Sequence, residues 1–296
     1  MNIRNLKLVT SVTISLSAMA ALIGTTAYAG NVSGPVSGLE FQVDAFTSSG
    51  TEIDWSSATG TQLLDLTSIL TVDPTTGNLQ LAAGAATHYD SFTKGPGGTN
   101  PMVSIDLFPA QFDGNVDPII SYGLQVVNNG NNAVTFQKVV TAPILPIITS
   151  SPIQVRAGLS GSAFDLAGNG VTLTALPNLG QDTDGIAEMQ IFRLRSTVGS
   201  GTWNNAGVDV GASQTFSGGG SAFTYTYGPI NLPLQTGPLG TWAQMQTVTR
   251  FSLTGGGDRA TLTGFAEIVP VPEPQEWMMM LAGLGVIVTA ARRRVV

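Results

Sequence analysis

Residues 243–268, AQMQTVTRFSLTGGGDRATLTGFAEI, decide the fold. Ala243, Met245, Phe251 and Leu253 fall on one side at a period of two. Gly255, Gly256, Gly257 and Asp258 interrupt the pattern, and Ala260, Leu262, Ala266 and Ile268 resume it. Successive side chains of an extended chain point to opposite faces, so each arm reads as a strand with one apolar face. The glycines before Asp258 predict a hairpin turn between the arms.

The same period recurs upstream. Leu39, Phe41, Val43 and Ala45 alternate with Glu40, Gln42 and Asp44, and Ile120, Tyr122, Leu124 and Val126 repeat the pattern. After the turn-rich residues 128–132, Val134, Phe136 and Val140 predict a partner strand, in which Lys138 breaks the apolar face and places the strand near a sheet edge. Further strands are expected over 171–175, 186–194 and 222–227. With 16 prolines and 36 glycines, no segment of the body sustains a helical period. The class is therefore all-β, an antiparallel two-sheet sandwich or jelly roll. Residues 140–152 carry Pro143, Pro146 and Pro152 but also Ile144, Leu145, Ile147 and Ile148. An exposed linker between subdomains would not be so apolar, which favours a crossing from one sheet to the other.

Both termini read as targeting segments. Arg4 and Lys7 precede an apolar stretch over 8–23, and Ala27 and Ala29 stand at the spacing a signal peptidase reads, so a signal helix over 1–29 is expected to be removed before Gly30. At the other end, residues 277–291 form an apolar run of about 22 Å as a helix, against about 30 Å of bilayer hydrocarbon. Trp277 suits one headgroup boundary. Arg292, Arg293 and Arg294 hold the other end in the cytoplasm, which puts everything upstream outside. The chain thus divides into 1–29, a body over 30–269, and a tail over 270–296 with a transmembrane helix at 277–291.

The segment VPEPQEWMMMLAGLGVIVTAARRR closely resembles the PEP-CTERM sorting signal of Gram-negative bacteria, with its Pro-Glu-Pro box at Pro272, Glu273 and Pro274, its membrane helix and its arginine cluster at Arg292, Arg293 and Arg294. It departs from the usual pattern only in ending on Val295 and Val296. The resemblance implies recognition by an exosortase, a membrane cysteine peptidase that processes the tail and releases or transfers the passenger. It also implies a species that makes exopolysaccharide, in biofilms or flocs. The expected route is export, cleavage by signal peptidase and transient anchoring in the inner membrane. Deposition at the cell surface or in the extracellular matrix follows, with exopolysaccharide or matrix components as partners.

Composition bounds the rest. The chain carries 12 Lys and Arg against 19 Asp and Glu, a net charge of −7. Since Arg4, Lys7, Arg292, Arg293 and Arg294 lie in the terminal segments, the body is more acidic still, which disfavours nucleic acid and anionic lipid as partners. Charged residues make up only 10 % of the chain. Its polarity comes from Ser, Thr, Asn and Gln, which suit a hydrated polysaccharide and equally any secreted β protein. Cysteine is absent, so stability rests on packing and sheet pairing without disulfides.

Little points to catalysis. His88 is the sole histidine, which excludes multi-histidine metal centres, and it reads as a surface loop residue. No cysteine nucleophile exists and no G-x-S-x-G elbow appears. Glu52 with Asp54 and Asp182 with Asp184 are carboxylate doublets of the kind that arise by chance in an acidic chain. Asp182, Asp184 and Gly185 resemble part of a calcium loop, but Gly180 and Ile191 stand where an EF-hand needs carboxylates. The candidate metal set is a shorter calcium turn of Asp182, Asp184 and Glu188, against a plain Asp-Gly turn; no other cofactor is expected. Asp113 and Asp117 form a second acidic loop. Of the aromatics, Trp55, Trp242 and Tyr227 suit a core as well as a surface, while Trp203 and Tyr225 are the candidates for stacking on sugar rings. The reading is a non-enzymatic, secreted matrix or floc protein. The alternative is a secreted carbohydrate-binding module, and after it a glycan-active hydrolase with two carboxylates in a cleft.

Overall fold

The structure is a computed structural model that describes residues 38–50, 53, 64–72, 78–84, 88–90, 103–107, 113–115, 119–149, 152–176, 186–270 and 281–284. All of these belong to the unit Pro35–Val296. Their strands form two antiparallel sheets, of 8 and 10 strands. The first sheet runs Asn204–Asn205, Gln190–Arg195, Trp242–Leu253, Val134–Ile148, Glu40–Thr47, Leu64–Asp65. Gly170–Ala175 pairs with the far end of Trp242–Leu253, and Gln214–Ser217 lies beyond it. The second sheet runs Phe223–Asn231, Ile153–Asp165, Asp258–Pro270, Ile119–Asn128, Asp113–Asn115, Asn78–Leu81, Leu70–Val72. Val103–Leu107 and His88–Asp90 extend from the other end of Ile119–Asn128.

The period-two pattern becomes the core. Phe41, Val43, Ala45, Val134, Phe136, Val140, Phe251 and Leu253 from the first sheet are buried together with Ile120, Tyr122, Leu124, Val126, Val155, Leu159, Ala260, Leu262, Ala266 and Ile268 from the second. Two inner faces filling one another make the body a β-sandwich.

The decisive stretch does form two strands, but they are not a hairpin. Trp242–Leu253 belongs to the first sheet and Asp258–Pro270 to the second, so residues 254–257 turn a corner between sheets. Gly256 and Gly257, at φ of 91° and 90°, send their N–H groups to the carbonyls of Gly130 (2.7 Å) and Asn128 (2.8 Å) instead of closing a ladder. The alternation dictates which face of each arm is apolar and is silent about the partner. Arms that both carry a full apolar face bury more when they cross over and oppose those faces. The expected partnership of Ile119–Asn128 with Val134–Ile148 fails in the same way, for they too lie in opposite sheets. Asn128 fixes that corner, donating to the carbonyls of Asn132 (2.8 Å) and Leu253 (3.0 Å) and accepting from the Gly130 N–H (3.0 Å). The chain changes sheet again between Ile148 and Ile153.

Lys138 is a second correction. Its strand is central, flanked by Glu40–Thr47 and Trp242–Leu253, and the side chain is buried between the sheets. Residues 281–284 are helical with Leu281 and Leu284 exposed. No helix among the described residues is long and apolar enough to cross a membrane. Residues 1–29 and the rest of the run 277–291 lie outside the described residues.

Candidate functional site: an uncharged groove beside three aromatic rings

Two edge strands approach each other at one end of the sandwich. Gln214–Ser217 pairs with Gly170–Ala175 so that Phe216 stands opposite the buried Val171, and its ring reaches the rim of the core. From the edge of the second sheet, Tyr225 stacks on Phe216 with centroids 4.9 Å apart and planes at 17°. Phe223 meets Tyr225 edge-on at 4.9 Å, and it remains 57 % exposed. The Tyr225 hydroxyl donates to the Ser217 carbonyl at 2.7 Å, which ties the strand ends together.

Beside these rings lies a groove of about 540 Å³ lined by Asn131, Asn169, Thr172, Thr215, Phe216 and Thr254, and no residue lining it is charged. Asp165 shapes one wall. Its carboxylate accepts the N–H groups of Gly168 (2.7 Å), Asn169 (3.2 Å) and Gly170 (2.7 Å), which fixes the loop that presents Asn169. Asp258 lies behind this wall, fully buried, taking a bond from the Thr254 hydroxyl at 2.5 Å, with the Leu166 backbone also easing its charge. Burial, with the nearby Asp165 charge adding to it, pushes the Asp258 carboxyl above the usual range. Hydroxyls, carboxamides and one aromatic ring at a groove without charge are the chemistry that grips a neutral polyol.

The residues expected from the sequence fall in different places. Tyr225 joins the aromatic cluster. Trp203 stands apart, beside Asn204–Asn205, with the Arg195 guanidinium 4.3 Å from its ring, so one of its faces is taken. Trp242 and Tyr227 are core residues. The indole N–H of Trp242 bonds the Pro238 carbonyl at 3.1 Å, the Tyr227 hydroxyl bonds the Ala212 carbonyl at 2.9 Å, and burial pushes that phenol up to about 12. Glu188 is half-buried, while Asp182 and Asp184 lie outside the described residues. Among the described residues no group of three or more His, Cys, Asp or Glu is placed to hold a metal ion. Trp55, Glu52, Asp54, Asp117, Ala27, Ala29, Pro272, Glu273, Pro274, Arg292, Arg293 and Arg294 also lie outside the described residues.

His88 sits on a short strand, His88–Asp90, where a loop was expected. Its Nδ1 is 2.6 Å from Asp106 and its Nε2 3.1 Å from Asp90. The hydrogen bond to Asp106 is the main reason its pKa is raised. Both ring nitrogens face carboxylates, an exposed arrangement that favours the protonated imidazole.

Phe216 and Phe223 were missed because a single aromatic in a short polar run such as Gln214–Ser217 says nothing about which ring it will meet. The close stack with Tyr225 arises only where the edges of two sheets converge.

No family model matches the chain, and no curated protein matches it. Among solved structures, that of infectious bursal disease virus Gx strain is 11 % identical over 87 % of this chain and 70 % of that one, with a TM-score of 0.14. The infectious bursal disease virus VP2 subviral particle is 10 % identical over 83 % of this chain and 64 % of that one, with a TM-score of 0.11. Likeness at that level bears on neither fold nor function.

Proposed function

We propose that this chain is an exported, non-enzymatic β-sandwich protein of an extracellular polymer matrix, delivered by an exosortase-processed tail. The observation that carries the reading is how the body ends. Asp258–Pro270 lies inside its sheet, paired with Ile153–Asp165 from Arg259 to Pro270 and with Ile119–Asn128 from Asp258 to Glu267. Its last pair, Pro270 with Ile153, comes two positions before Pro272. The tail therefore departs from a completed sheet, and a peptidase can remove it without opening the core. Leu281 and Leu284, three apart on one helix face and exposed at 62 % and 51 %, agree with a helix made for lipid.

In this reading Pro272, Glu273 and Pro274 are recognised, the helix over 277–291 holds the chain in the inner membrane, and Arg292 to Arg294 fix its orientation. Replacing the three recognition residues with alanine leaves the helix able to insert. Full-length protein then accumulates in the inner membrane and is depleted from the extracellular polymer. Normal processing and normal extracellular amounts of that variant would contradict the proposal.

A second reading, binding of a neutral glycan, is favoured by the groove beside Phe216 and Tyr225. It complements the first, since a matrix protein that grips its polymer stays where it is delivered.

A further inference from the structure

A row of polar side chains crosses the middle of the core. In the first sheet Val43, Lys138, Thr249 and Gln190 are successive cross-strand partners, and all four side chains are buried. Tyr122 reaches them from the second sheet. Its hydroxyl donates to the Gln190 carboxamide oxygen at 2.5 Å and also bonds the Thr249 hydroxyl. A phenol has one proton, so with that proton given to Gln190, Thr249 is the donor to the tyrosine oxygen. Gln190 Nε2 donates to the Phe265 carbonyl at 3.0 Å, which locks the carboxamide. Lys138 Nζ lies over the Tyr122 ring with no hydrogen-bond partner among the described residues. Desolvation pushes that amine well below its ordinary pKa.

The pairing type brings the two reacting groups close. The Arg250 N–H donates to the Met189 carbonyl at 2.6 Å, and the N–H and carbonyl of Gln190 are both taken by Val210 on its other side, at 2.8 and 2.9 Å. The pair of Gln190 with Thr249 is then of the non-hydrogen-bonded kind, in which facing side chains approach most closely.

We propose that Thr249 and Gln190 form an intramolecular ester cross-link between Gln190–Arg195 and Trp242–Leu253. Thr249 Oγ1 adds to Gln190 Cδ, whose carbonyl is polarised by the Tyr122 hydroxyl. The threonine proton passes along its hydrogen bond to the Tyr122 oxygen as the tyrosine proton passes to the Gln190 oxygen, and collapse of the adduct hands that proton to the leaving nitrogen. The Oγ1–Cδ bond forms, the Cδ–Nε2 bond breaks, and ammonia departs; no oxidant or external reactant enters. Exclusion of water from the core protects the ester, and the link supplies an outside-the-cell staple to a chain that has no cysteine.

Tryptic peptide mapping of the exported, folded chain tests this. Cleavage at the basic residues puts Gln190 on 157–193 and Thr249 on 196–250. The expected product is these two peptides joined, about 17 Da lighter than their sum for the loss of ammonia, and separated by hydroxylamine, which cuts esters and leaves side-chain amide links intact. Thr249→Val and Tyr122→Phe are each expected to return the two peptides unlinked. Unlinked peptides from the unaltered chain overturn the proposal. So does a link between these two peptides that survives Thr249→Val or resists hydroxylamine, and so does an isopeptide from Lys138, which would instead join 95–156 to 157–193.

Discussion

Phe216 and Tyr225 come from edge strands of opposite sheets and stack at 4.9 Å, closing the rim of the sandwich where an uncharged groove begins. Phe216 presents a ring to that groove, and Tyr225 holds the ring in place. Phe216→Ala is expected to weaken retention in affinity electrophoresis through gels containing a neutral polysaccharide, amylose or soluble cellulose, by about tenfold, or ~1.4 kcal/mol. Trp203→Ala should leave retention unchanged, because that indole does not line the groove. Equal mobility of the Phe216 variant and the parent in gels where the parent is retarded would remove the groove from the account.

Gly264 faces Tyr122 across neighbouring strands, and a Cβ there would run into the Tyr122 hydroxyl and the Gln190 carboxamide. Both groups are fixed by hydrogen bonds inside the core and have nowhere to move. Gly264→Ala is therefore expected to cost about 1–3 kcal/mol in urea denaturation, a cost of overpacking. A variant as stable as the parent would mean that the polar row is looser than its bonds indicate.

Asp258 carries a pH signature. Its folded pKa is raised by burial, so it contributes stability that is fully present below the unfolded carboxyl value and lost as pH rises through the folded one. At pH 7 the charged form is a burden. Asp258→Asn should raise the melting temperature at neutral pH, because it removes a carboxylate charge that burial and the nearby Asp165 disfavour. The gain should shrink toward pH 4. A variant less stable than the parent at pH 7 would show that the carboxylate has a cationic partner.

The faces of the strands were legible in the sequence and their partners were not. Ala243 to Leu253 and Ala260 to Ile268 alternate as strands must, yet an alternation carries no record of which sheet a strand joins, and Gly255 to Asp258 suit a corner as well as a hairpin. Lys138 misled for a related reason. A cation on an apolar face usually marks an edge, and here the amine is buried against Tyr122 in the centre of the sheet, where desolvation pushes its pKa well down. Tyr225 was recognisable as a surface ring, whereas its partner Phe216 and the wall built by Asp165 depend on contacts between segments far apart in the chain.

Because Asp258–Pro270 completes its pairing before the tail begins, a chain ended after Pro270 should unfold within about 0.5 kcal/mol of the full-length protein, as for changes away from any packed feature. A large loss on that truncation, followed by thermal melting, would tie the tail to the fold.

The most direct test of the account is the intact mass of the protein recovered from the extracellular polymer of its own cells. Export and sorting as proposed give a chain that starts at Gly30 and lacks the apolar run 277–291 and the arginines behind it. A mass corresponding to a chain that still carries residues 277–296 would contradict the sorting assignment and make the tail a permanent anchor.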